Sequence, residues 1–135
     1  MLEEYLSNLC NELNITPITS EKDTYPLKMS EDTIIYIREF EQGVFFQAEI
    51  TECPKDHLEE LLIYLMRANL LGQGTGSSVI GLDEQEKSLT LSLCLPYEMN
   101  YRVFRENLED FVNYLNYWRE EIDELQKKST QSPIG

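Results

Sequence analysis

Apolar positions in this chain change period several times, and each change marks a new element. Leu2, Tyr5, Leu6, Leu9 and Leu13 recur at steps of three and four, with Glu3, Glu4, Asn8, Asn11 and Glu12 between them, which predicts an amphipathic helix. It should end before Thr16-Pro17, since the residue ahead of a proline is pushed toward extended conformations and Asn14 suits a left-handed cap. From Ile18 to Ser30 the pattern is broken; the expectation is an extended segment or short strand around Pro17 to Thr19, then a loop carrying Tyr25-Pro26. Thr33 to Ile37 and Val44 to Ile50 are β-branched and aromatic, and Glu41-Gln42-Gly43 between them supplies a turn, so they read as a hairpin. Both of its strands are apolar on each face, as when one face meets a helix and the other has a different cover.

The central stretch, Leu58 to Leu95, has the densest pattern. Leu61 through Met66 are six consecutive apolar or aromatic residues, which on a helix puts hydrophobic surface on every side. A short helix in a small protein buries such a belt only against a second partner, and another copy of itself is the simplest one. Pro54 should open this helix, with Asp56, Glu59 and Glu60 near its positive end, and Gly72 should close it. Ser77 to Asp83 and Ser88 to Leu95 form a second hairpin, whose later strand alternates Leu89, Leu91, Leu93 and Leu95 with Thr90, Ser92 and Cys94. Asn100 then caps a last helix in which Tyr101, Phe104, Leu108, Phe111, Leu115, Trp118, Ile122 and Leu125 make one seam, expected to serve the core. The fold class is α+β: three helices on an antiparallel sheet, in a single domain over residues 1–126, with 127–135 a mobile tail.

Charge narrows the partners. With 25 Asp and Glu against 11 Lys and Arg the formal charge is −14, which repels nucleic acid and anionic membrane surfaces and favours basic protein segments. Met1 to Tyr5 lacks the basic start and apolar run of a secretory signal, so a cytoplasmic protein is expected. Cys10, Cys53 and Cys94 are odd in number and widely spaced, as reduced core thiols are, and Asn14-Ile15-Thr16 reads as an accidental glycosylation triplet.

Candidate chemistry is sparse. Gly72-Gln73-Gly74-Thr75-Gly76 suggests a phosphate loop, but such loops run from strand into helix and Walker types carry a lysine, whereas this one leaves a helix without a cation. His57 is the single histidine, among Lys55, Asp56 and Glu59 in a solvated first turn, which excludes a multi-histidine metal site. Glu3/Glu4, Glu59/Glu60, Glu120/Glu121 and Asp123/Glu124 read as polar helix faces rather than an acid and base in contrasting environments. Ser77, Ser78 and the cysteines lack an activating partner. The expectation is a protein without enzymatic activity, catalytic residues, metal or cofactor, whose surplus apolar surface meets other proteins.

The run Leu61 to Leu71, the glycine break, Ile80-Gly81-Leu82-Asp83, Leu89 through Leu95-Pro96, and the last helix with Phe104, Leu108, Phe111 and Trp118 together resemble the class I type III secretion chaperones, the Tir chaperone family, over residues 1–126. That resemblance implies an ATP-independent cytoplasmic homodimer that holds the N-terminal, non-globular region of secreted effectors ready for export. It puts the dimer interface on the central helix, at Leu61, Leu62, Leu65 and Met66. It puts cargo on Leu2, Tyr5, Leu6 and Leu9 of the first helix and on Ile35, Ile37, Val44 and Phe46 of the first hairpin, although which hairpin face is core stays open. Docking on the secretion ATPase is a further partnership it allows. The rival reading is an acidic dimeric α+β module that scaffolds or regulates a folded partner.

Overall fold

The computed structural model describes residues 1–71 and 77–130. The order is α1 (Leu2–Leu13), β1 (Thr24–Ser30), β2 (Thr33–Phe40), β3 (Gly43–Glu52), α2 (Leu58–Leu71), β4 (Val79–Leu82), β5 (Ser88–Pro96) and α3 (Tyr101–Thr130). The strands form one antiparallel sheet in the order β1-β2-β3-β5-β4. Three helices lie on one face of it: α1 toward β1, α3 along the middle over β3, and α2 beside β4.

Local sequence accounts for most boundaries. Asn14 is left-handed, with φ 56°, and its backbone N–H returns to the last turn of α1. Asn100 Oδ1 accepts from the Val103 N–H at 2.9 Å and starts α3. At the β4–β5 turn, Asp83 Oδ1 accepts from the N–H groups of Lys87 (2.7 Å) and Ser88 (3.2 Å), while Glu86 adopts φ 56°. Gly43 follows the β2–β3 turn, where a Cβ would collide with the Leu95 carbonyl, so the β3–β5 approach requires glycine.

Three elements depart from expectation. No strand forms at Pro17–Thr19; the first strand is Thr24–Ser30 and includes Tyr25-Pro26, because an edge strand tolerates a proline that donates nothing to the ladder. The central helix begins at Leu58 rather than Pro54, since His57 sits at φ 56°, outside helical space. Helix α3 continues past Gln126 to Thr130, with Lys127 paired to Asp123 at 3.0 Å and Lys127 and Lys128 favourably placed at its negative end. The rest of the expected tail, 131–135, lies outside the described residues, as does the glycine segment 72–76.

The core is a single cluster between sheet and helices. Leu89, Leu91, Leu93 and Leu95 all point into it, as their alternation predicts. Phe46 packs edge-on against both Phe104 and Phe111, with ring centroids 5.6 Å apart in each case. The α3 seam from Phe104 to Ile122 is buried along its length. Arg119, beside that seam, secures an irregularity in the sheet: β3 shifts register between Glu49 and Thr51, and the guanidinium donates to the freed carbonyls of Glu49 (2.8 Å) and Ile50 (2.9 Å) and to the Thr33 hydroxyl.

Candidate functional site

The sites expected for partners divide sharply by burial. Ile35, Ile37, Val44 and Phe46 are 0% exposed and face the helices, which settles the open question of the hairpin: this is its core face. Leu2, Leu6 and Leu9 are also interior, fixing α1 to the sheet. Tyr5 is half-buried; its ring stacks near Tyr101 and Phe104, and its hydroxyl donates to the Met99 carbonyl at 2.9 Å. As cargo contacts, these positions are corrected by packing: the folded protomer already covers them, apart from part of Tyr5. The period of two, which could not orient the hairpin, places its free apolar groups one residue away.

Those groups lie on the face of the sheet opposite the helices, over which no described element packs. Across it run the rows Pro26–Tyr36–Gln47–Ser92–Val79 and Thr24–Arg38–Phe45–Cys94. Ile34, Tyr36 and Val79 are exposed, and the Arg38 guanidinium sits 4.8 Å from the centroid of the Phe40 ring, which meets Phe45 edge-on.

Helix α2 divides in the same way. Leu61 and Leu65 are buried in the core, so they are corrected from interface to anchor; Leu62 is half-buried, whereas Met66 is 68% exposed. The free stripe is Ile63, Met66 and Leu70, the last 85% exposed. Met66 is thus the member of the expected interface that the structure leaves free.

Two side chains that pattern reading passed over hold α2 in place. Asn69 reaches the outward-facing edge of β4: its amide donates to the Ile80 carbonyl at 2.7 Å and its oxygen accepts the Ile80 N–H at 2.8 Å, as a neighbouring strand would. Tyr64 packs edge-on to Trp118 and donates to Glu121 at 3.0 Å. Burial, then the Glu121 hydrogen bond and charge, raise the Tyr64 phenol above its ordinary value. The only advance signal for Asn69 was a weak helix former inside an apolar run.

Among the described residues, no group of three or more His, Cys, Asp and Glu is placed to hold a metal ion, and no helix is long and apolar enough to cross a membrane. His57 is exposed, 3.9 Å from Glu60, and Cys10, Cys53 and Cys94 are free thiols.

The distinctive surfaces are therefore apolar, on an acidic α+β chain. Residues 4–119 match the Tir chaperone protein (CesT) family, and the chain belongs to it. No curated protein matches the sequence. Among solved structures, one chain of the HopA1–SchA chaperone–effector complex is similar with a TM-score of 0.70 and 15% identity, over 88% of this chain and 93% of that one. The type III secretion chaperone SycH of Yersinia pestis, in complex with a stable fragment of YscM2, gives 0.66 and 13%, over 87% and 98%. YbjN from E. coli, provisionally called a transcription regulator, gives 0.67 and 12%, over 91% and 92%. At these identities the likeness concerns the fold alone.

Proposed function

We propose that this protein is a cytoplasmic type III secretion chaperone: a homodimer, without catalytic activity, that binds the N-terminal non-globular segment of effector proteins and keeps them competent for export. The observation that carries this reading is the family match across residues 4–119. The apolar surface left outside a complete core supports it. In this reading two copies join through the Ile63, Met66 and Leu70 stripe of α2. Leu61 and Leu65 anchor that helix from within.

Cargo is held along the open sheet face, at Ile34, Tyr36 and Phe45, with α1 contributing through Tyr5 and its exposed surroundings. Of the two sheet edges, β4 is occupied at Ile80 by Asn69, so strand addition by cargo falls to β1. Ordering an unfolded segment is costly, and affinity must come from many separated apolar contacts plus main-chain pairing. Delivery of the loaded chaperone to the secretion ATPase belongs to the same proposal.

The test is capture of secreted proteins by the full chain, with and without their N-terminal segments. Loss of capture on removing the segment is the expected result. Retention would favour a module for folded partners.

A further inference from the structure

A groove opens between α1, the end of β1 and α3. Its cavity is about 330 Å³, room for one or two aliphatic side chains rather than a folded domain. Leu9 and Leu108 form its buried floor, and Val112 is half-buried. Its mouth carries Leu13 and Met29, which are 48% and 39% exposed although both are large and apolar.

The charges at this mouth are unequal. Glu12 and Glu109 line it, and so does Arg105, but Arg105 is already paired with Glu12 at 3.0 Å. Glu109 has no ion pair among the described residues, so the lining carries a net negative charge within a chain of net −14. An acidic occupant would meet Glu109 without compensation. A cation beside an aliphatic anchor would meet an available carboxylate at the rim of an apolar floor.

We propose that this groove is a docking site for a basic amphipathic segment of a partner chain, which seats aliphatic side chains on Leu9, Leu13, Met29 and Val112 and sets a Lys or Arg against Glu109. The assignment rests on the chaperone reading and adds the chemistry that a bound segment must have. It also distinguishes this groove from the open sheet face, where Arg38 rather than a carboxylate lies among the aromatic rings.

The probes are two short synthetic peptides with identical leucine positions, one carrying lysines between them and the other glutamates, titrated by fluorescence anisotropy against the full chain. The lysine peptide should bind at least about tenfold more tightly at low salt, with the ratio shrinking as salt rises. Glu109→Lys should reverse or abolish the ratio, and Leu13→Ser should weaken the lysine peptide without unfolding the protein, since Leu13 is half-exposed. Glu124→Lys, the same charge change near the far end of α3, should leave the ratio as it was, which separates this groove from the general field of an acidic protein. Equal binding of the two peptides, or binding that ignores both groove substitutions, overturns the proposal. So does self-association that Leu13→Ser abolishes, which would make a second copy the occupant. If effector segments are captured yet neither groove variant releases them, the groove falls and the chaperone reading stands; if no segment is captured, the peptide comparison still decides the groove.

Discussion

Helices α2 and α3 are both rich in apolar residues, and they use them in opposite ways. Every seam position of α3 from Phe104 to Ile122 is buried by the chain's own sheet and helices. Helix α2 buries Leu61 and Leu65 but leaves Ile63, Met66 and Leu70 in water. The difference lies in the width of the apolar surface. A stripe of about 100° can be met by one sheet face, whereas a helix apolar all round keeps a second face free whatever the first one packs on. Helix α3 therefore reports on folding, and the outer face of α2 is where the proposed pairing of two copies can be tested.

Substitutions can sharpen or break that contrast. Phe111→Ala, at the centre of the α3 seam and against Phe46, should cost about 3–5 kcal/mol in urea unfolding. A loss near zero would mean that the seam is not the core. Leu65→Ala, on the inner face of α2, should cost about 2–5 kcal/mol; if it instead altered only the molecular mass, the division of α2 into inner and outer faces would be wrong.

Asn69→Ala removes both bonds to Ile80 and should cost about 1–2 kcal/mol, with faster amide exchange at Ile80. Unchanged exchange there would show that the β4 edge needs no such cover. Tyr64→Phe should have the smallest effect, under about 1 kcal/mol near neutral pH, because its bond to Glu121 is solvent-exposed. Its signature is alkaline. The raised phenol holds its proton longer in the folded state, so the stability it contributes is complete below pH ~10 and is lost as pH climbs through the folded value. Tyr64→Phe should therefore lessen the fall in melting temperature above about pH 10; an identical alkaline decline would place the shift elsewhere.

Much of this division was legible in the chain. The α3 seam, the leucine alternation of β5 and the caps at Asn14 and Asn100 are local patterns, and local patterns fix local structure. The belt of α2 showed more apolar surface than one sheet face can cover, but not which residues would stay outside: Leu61 and Leu65 face inward, and only the fold determines which side of an all-apolar helix meets the sheet. The hairpin posed the same problem with period two. Ile35 is no more apolar than Ile34, and the burial of Ile35 and Ile37 follows from where α1 and α3 lie. The Arg119 clamp and the Asn69 edge cover bridge residues distant in sequence, so no periodicity encodes them. The α1–α3 groove is a tertiary feature for the same reason.

The central claim is that the outer face of α2 joins two copies, and light scattering of the intact chain across a concentration series tests it most directly. The account predicts a mass of twice 15.8 kDa for the unaltered protein, falling to one copy in Met66→Asp with far-ultraviolet circular dichroism unchanged. An unaltered protein that stays at one copy, or a Met66→Asp variant that remains paired, would contradict it.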